Sequence, residues 1–312
     1  MLALGMEYDA GTWKVAVWDE DRAADLHTFP HMGDVWQFLE DLLTLHPATP
    51  IVLPSGYGVP ITRAGDLLDR DIATMTVDRP GSVADDLAMF LAEARRRTLR
   101  AYCIPAANLL PSVPPHRKLR RADLGTSDVL CAAAWALHFL STTGRALMAC
   151  DLLLLHAATG TIHLLALKAG RIVDGTGGTW EQEGPGRRRI GASLGEESVR
   201  SADPRQLAEV EAASPGCARA ALWEAVEKDC LAMLSFHKVS EVIVTGARHA
   251  EVTRAVGQQL PLITLPMPGD GYEGALGAAV VAAGLTGGPT ASLLDHLGLR
   301  ETRDRVPSRL TR

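Results

Sequence analysis

Hydrophobic and polar positions alternate cleanly near the N-terminus. Trp13, Val15 and Val17 share one face of a strand over residues 13–19, while Lys14, Ala16 and Trp18 take the other. Residues 2–8 read as the strand before it, joined through a tight turn at Asp9-Ala10-Gly11-Thr12, and residues 25–29 as a third. Val35, Phe38, Leu39, Leu42 and Leu43 then recur at helical spacing and stop near Pro47. Ile51-Val52-Leu53 is a short strand halted by Pro54 and the loop Ser55-Gly56-Tyr57-Gly58. Strands, a helix and another strand predict a mixed α/β fold.

The middle carries a helix over residues 83–97, a strand over 101–104 and a proline-rich loop over 105–115. A second unit starts near Gly125. Thr126, Ser127 and Asp128 supply capping groups for an apolar helix over 129–140. Residues 151–156 and 161–167 repeat the strand–turn–strand opening around Thr159-Gly160. Arg171-Ile172-Val173 leads into the glycine-rich run Asp174-Gly175-Thr176-Gly177-Gly178-Thr179, read as a loop. Helices over 217–237, 250–259 and 273–284 and strands over 242–244 and 262–265 complete the pattern. The halves share an order of elements without sharing sequence, and they divide between Pro115 and Gly125.

Length and composition narrow the classes. The 312 residues, 47% hydrophobic and 22% charged, fit two globular domains or one large one, and not a disordered or fibrous chain. Against 37 acidic residues stand 31 basic ones, a net charge of −6. No overall positive field favours nucleic acid as a partner. Five scattered cysteines, with no Cys-x-x-Cys pair, speak against a zinc knuckle and point to a reducing, cytoplasmic setting. The N-terminus lacks the basic and apolar regions of a signal peptide. The most apolar stretch, 275–285, is too short to span a membrane. If this alanine-rich helix lies on the surface, it offers a face for a homodimer.

Four segments are candidates for chemistry. In the first turn, Gly11 admits a phosphate close to the backbone, Thr12 can donate to it, Lys14 can add a point charge, and Asp9 can hold hydrated magnesium. The run 174–179 reads as a second phosphate loop facing the first. Thr245-Gly246-Ala247-Arg248 is a strand end where a flat ring can lie against glycine. The small residues Gly274, Gly277 and Ala278 let the last long helix approach a neighbour closely and carry no chemistry.

Together these segments resemble, in order, the superfamily of acetate and sugar kinases, heat-shock chaperones and actin. Within it the chain is similar to a family described as predicted butyrate kinases. That likeness rests on the phrases at 54–62, 124–128, 170–179 and 283–288, beginning Pro54-Ser55-Gly56, Leu124-Gly125-Thr126, Gly170-Arg171-Ile172 and Ala283-Gly284-Leu285. The resemblance implies two ribonuclease-H-like domains, 1–124 and 125–312. Each would be a mixed five-stranded sheet flanked by helices, with ATP and magnesium in the cleft between them. Asp9, Gly11, Thr12 and Lys14 would form the first phosphate loop. Thr159, Gly160, Gly175, Gly177, Gly178 and Thr179 would form the second. Thr245, Gly246 and Arg248 would meet the nucleoside. One departure stands out: His156-Ala157-Ala158 replaces the acidic residue and glycine usual on the second phosphate strand.

The implied activity is phosphoryl transfer from ATP to a short-chain carboxylate, with Asp9 orienting magnesium. Such an acceptor is ionised at neutral pH and needs cations to hold it, not a base. Arg117, Arg120 and Arg121 are candidates, as are Arg187, Arg188 and Arg189, with Ser55, Gly56 and Tyr57 lining the acceptor pocket. A sugar or polyol acceptor would need a base, for which Asp174 is the candidate. The altered strand at His156 leaves open a third reading, a weak or inactive relative that binds a ligand or partner protein.

Overall fold

The computed structural model describes residues 2–19, 24–76, 81–120, 123–159, 161–180, 217–263, 269 and 271–303. Two mixed sheets organise the chain. In the first, β1 (Leu2–Asp9) and β2 (Thr12–Asp19) pair antiparallel along their whole length, and β3 (Asp25–Phe29) extends the meander. On the other side of β1, β4 (Ile51–Val52) and β6 (Ala101–Pro105) follow in parallel. The second sheet repeats the plan. β7 (Leu152–Ala157), β8 (Thr161–Lys168) and β9 (Arg171–Trp180) form an antiparallel meander, and β10 (Val242–Thr245) and β11 (Leu262–Ile263) add in parallel beside β7. The predicted two-sheet α/β fold is therefore present.

The first sheet has six strands where five were expected, because β5 (Gly58–Arg63) runs antiparallel along the edge of β6. Its sequence, with Gly58 and Pro60, reads as loop. An edge strand tolerates proline because one row of its backbone groups has no partner to lose. Gly58, at φ +72°, also sits where a Cβ would lie 2.1 Å from the Ala106 nitrogen.

Strand alternation sorts the cores. Leu4, Met6, Tyr8, Trp13, Val15 and Val17 face α1 (Met32–Leu45) and α3 (Gly81–Arg96). The opposite face, through Ala3, Ala16 and Trp18, joins one core with α5 (Ser127–Thr142) and the helix Glu273–Leu285. From the second sheet, Leu152, Leu154, Leu165 and Leu167 enter that same core. Its other face packs Leu153, Leu155 and Leu164 on Trp223, Val226 and Cys230 of α6 (Cys217–His237). The remaining helices are α2 (Asp69–Thr76), α4 (Pro115–Arg120), α7 (His249–Val256), α8 (Glu273–Leu285) and α9 (Ala291–Leu297).

Helices α5 and α8 thus lie within the core that both sheets share. Every residue from Glu273 to Gly284 is buried, as expected of a helix apolar on all sides. Of the two placements open to the alanine-rich helix, surface and interior, the interior one holds, so α8 offers no face for a homodimer. Gly5 lets it rest on β1, since a Cβ there would lie 2.0 Å from the Ala275 oxygen.

The buried thiols follow from the same packing. Burial pushes Cys103 and Cys230 up to about 12 and raises Cys131 strongly. Since the thiolate is the nucleophile, iodoacetamide at pH 8 is expected to leave these three unmodified in the native chain. It should modify all five cysteines in denaturant. Peptide mapping reads the outcome.

Candidate active site at the junction of the two sheets

The polar end of the first hairpin lies on the face shared with α5 and α8. Ala10 and Gly11 have φ of +49° and +89°, the two left-handed residues of a tight hairpin turn. A Cβ at Gly11 would meet nothing within 4 Å, so the turn opens onto free space. In the antiparallel register Glu7 stands opposite Lys14, and Asp9 opposite Thr12.

Asp9 joins the two halves. Lys14 Nζ donates to its Oδ2 at 3.1 Å, the Thr159 hydroxyl at 2.7 Å and the Thr159 amide at 3.2 Å. Burial raises the Asp9 carboxyl, but the Lys14 charge and the Thr159 bonds outweigh it and hold the group below the usual carboxylate range. Burial likewise opposes the charge on Lys14, and Glu7, Asp9 and Glu273 overcome it, so the ammonium persists. The sequence places Asp9 and Thr159 on turns 150 residues apart; the fold brings these turns into contact.

Behind this contact sits a buried polar cluster. Glu7 and His156 are 2% and 1% exposed. One oxygen or nitrogen of each, together with a carboxylate oxygen of Asp128, lies within 4.8 Å of the others. Asp128 belongs to the first turn of α5, and Glu273 opens α8. Glu273 accepts from the Gly246 amide at 3.2 Å. Burial, aided by Asp9, Asp128 and Glu273 and opposed by Lys14, pushes Glu7 up to about 8. Burial pulls His156 down to about 4, so its imidazole is neutral at pH 7. Its Nδ1 lies 3.0 Å from the Thr245 hydroxyl, its neighbour in the β7–β10 register.

The second predicted phosphate run divides along its length: Thr179 pairs with Ile162 beside the second turn, and Asp174 lies far from it. The run from Asp174 to Thr179 is part of β9, not a loop. Its glycines serve close packing: a Cβ on Gly175 would lie 2.0 Å from the Leu124 oxygen, and one on Gly177 3.1 Å from Asp123 Oδ2. Asp174 pairs with Ala166, whereas Trp180 pairs with Thr161 beside the second turn. Six residues of strand, roughly 15–20 Å at ~3.3 Å per residue, therefore separate Asp174 from that turn. Asp174 instead meets His237 Nε2 at 3.0 Å and Arg117 Nε at 3.4 Å.

Arg117 also donates to the Val173 carbonyl at 2.6 Å and lines a cavity of about 350 Å³ with Asp174, Thr176, Asp229 and Phe236. Ser55 is fully buried. Its hydroxyl donates to the Leu53 carbonyl at 2.8 Å and accepts from the Ile104 amide at 3.1 Å. The Gly56 carbonyl accepts from the Ser127 amide at 2.8 Å, and Tyr57 is buried. The expected acceptor-pocket wall at 55–57 is thus an internal tie between the first sheet and α5. Thr245 and Gly246 are buried at the end of β10, and a Cβ on Gly246 would lie 2.3 Å from the Ala157 oxygen. Arg248 pairs with Glu251 at 2.8 Å. Gly160, Arg121 and Arg187–Arg189 lie outside the described residues, as do the side chains of Arg120, Gly178 and Thr179.

Sequence reasoning gave no role to Glu7 and Glu273 and read Asp128 as a cap only. A signal existed for Glu7: with Lys14 it forms a charged cross-strand pair on a face otherwise small or apolar.

The sequence matches the family described as protein of unknown function, DUF1464, over residues 35–308. The chain belongs to this family. No curated protein matches it. In fold this DUF1464 member is similar to the acetate kinase of Entamoeba histolytica. The TM-score is 0.52 at 10% identity, covering 83% of this chain and 86% of that one. It is also similar to the activator of the 2-hydroxyisocaproyl-CoA dehydratase from Clostridium difficile with bound ADPNP. That TM-score is 0.45 at 12% identity, covering 95% and 98%. A third is the inorganic polyphosphate/ATP-glucomannokinase from Arthrobacter sp. strain KM, with TM-score 0.43 at 12% identity, covering 90% and 98%. At TM-score 0.52, the acetate kinase likeness shows that the DUF1464 chain shares that protein's fold. Among the described residues no helix is long and apolar enough to cross a membrane.

Proposed function

We propose that the chain is an ATP-dependent phosphotransferase acting on a short-chain carboxylate, with the nucleotide between the turns at Gly11 and Thr159. One observation carries this reading: the amide and hydroxyl of Thr159 already converge on a carboxylate oxygen of the opposite turn, Asp9. Donors arranged around one oxyanion suit another, and a phosphate oxygen can take Asp9's place. The amide of Gly11 and the hydroxyl of Thr12 would add donors from the first turn. The first turns of α5 and α8, at Asp128 and Glu273, reach Glu7 behind the Asp9 contact, and their positive ends favour negative charge.

Released from Thr159, Asp9 is a hard oxygen ligand suited to magnesium. Bound there, magnesium would neutralise charge on the transferred phosphoryl group. Thr245, Gly246 and Arg248 would lie on the nucleoside side, with halves 1–124 and 125–312 closing as jaws to exclude water. A carboxylate acceptor is favoured over a sugar because Asp174, the base a hydroxyl would need, is bound by His237 and Arg117 far along β9.

The test is incubation with magnesium-ATP, hydroxylamine and a panel of short carboxylates. Hydroxamate should form with at least one of them. ADP released only with sugars or polyols would overturn the acceptor. A second reading has its own support: Asp9 is engaged by three donors, and histidine stands where the superfamily usually carries an acid. In that reading the clamp only binds. Calorimetry showing no heat with magnesium-ATP would favour it and sink the phosphotransferase.

A further inference from the structure

We propose that Glu7, Asp128 and His156 form a binding site for a divalent transition-metal ion of the manganese, iron or zinc class. The three come from β1, α5 and β7, and their ligand atoms lie within 4.8 Å of one another. Ligand atoms about 2.0–2.2 Å from a shared ion sit roughly 3–3.5 Å apart. Side-chain rotations of about 1.5 Å or less therefore complete the site.

Two independent features point to an ion at its centre. Glu7 Oε2 and His156 Nε2 are both buried and have no hydrogen-bond partner. Orphaned buried polar atoms are costly, and a shared cation satisfies both at once. The tautomer is suited as well. With His156 Nδ1 against the Thr245 hydroxyl at 3.0 Å, a proton on Nδ1 leaves the Nε2 lone pair for a metal. A hydrogen bond from the far ring nitrogen is the usual support of a ligating histidine.

Charge balance favours a dication. Glu7, Asp9, Asp128 and Glu273 bring four carboxyl groups together with Lys14 acting on Glu7, and an ion that displaces the Glu7 proton meets an excess of negative charge. A divalent ion offsets this excess. The donor set selects its class: imidazole suits zinc, iron and manganese better than magnesium, which prefers oxygen and keeps its water. Asp128 is half-buried and gives the ion a way in. This site differs from the magnesium proposed at Asp9 in all its ligands, and it needs no nucleotide.

The experiment uses the full chain, stripped with chelator and titrated with Mn²⁺ alone. Electron paramagnetic resonance should show one tightly bound ion per chain, and pulsed spectra should show coupling to an imidazole nitrogen. His156→Ala should remove that coupling and weaken Mn²⁺ at least tenfold. Glu7→Gln should weaken it similarly, and Arg117→Ala should change nothing. Mg²⁺ in tenfold excess should not displace the ion. Absence of bound Mn²⁺, bound Mn²⁺ without nitrogen coupling, or ready displacement by Mg²⁺ would each overturn the proposal. The nitrogen signal is read on the unaltered chain, so a variant that fails to fold leaves the test intact. ATP is absent throughout, so failure here and failure of the phosphotransferase reading are separate results.

Discussion

Gly277→Ala is expected to cost about 3 kcal/mol or more, the upper range for overpacking a core. The added Cβ would lie 1.7 Å from the Cys131 oxygen and 2.3 Å from its carbonyl carbon. Both atoms belong to the backbone of α5, so no side-chain rotation relieves the clash. The helices would have to part, and α8 is pinned on its other side where Gly5 admits the Ala275 carbonyl. Separation would open the core common to both sheets. A fall in Tm of roughly 5 °C or more is expected from a chain this long, or loss of soluble protein. Gly33→Ala is the control. It lies in α1, and its Cβ would meet nothing within 4 Å. There alanine should leave Tm unchanged or raise it slightly, since helical glycine carries an entropic penalty. Equal melting of the two variants would mean that α5 and α8 do not meet as described.

Asp9→Asn should lower ATP turnover by at least about 10²-fold, a loss typical of removing one charge-stabilising group. The amide keeps the shape of the side chain but loses the charge that Lys14 and Thr159 address. It also removes the hard ligand proposed for magnesium. Lys14 would remain buried beside Glu7 and Glu273, so a moderate fall in stability should accompany the loss. Thermal melting run in parallel separates the two effects. Turnover within threefold of the unaltered chain, in a variant that still melts cooperatively, would remove Asp9 from the reaction.

The two variants probe features of different legibility. The small residues at Gly274 and Gly277 and the apolar character of 273–284 announced a close helix contact, while leaving open whether the helix is buried. Both are local properties of one helix. Glu7 illustrates the opposite case. Its place in a strand was readable, yet the partners that define its chemistry are Asp128 from α5 and His156 from β7. No periodicity links residues so far apart. The glycine run at 174–179 reads as a loop yet forms strand, for a related reason. Glycine marks any close backbone approach, and whether the approaching group is a phosphate or the Leu124 carbonyl depends on what packs there.

The order of the long helices and of the strands they pack on, the duplicated strand–turn–strand plan and the two faces of β2 were determined by the sequence alone, because alternation and helical spacing act over a few residues. The six-stranded first sheet was decided only in three dimensions, where edge position excuses Pro60. So was the contact of Asp9 with Thr159, and so was the company of Glu7, Asp128 and His156. These depend on how two sheets close around α5 and α8. That closure is set by burial summed over the whole core, which no short stretch of chain encodes.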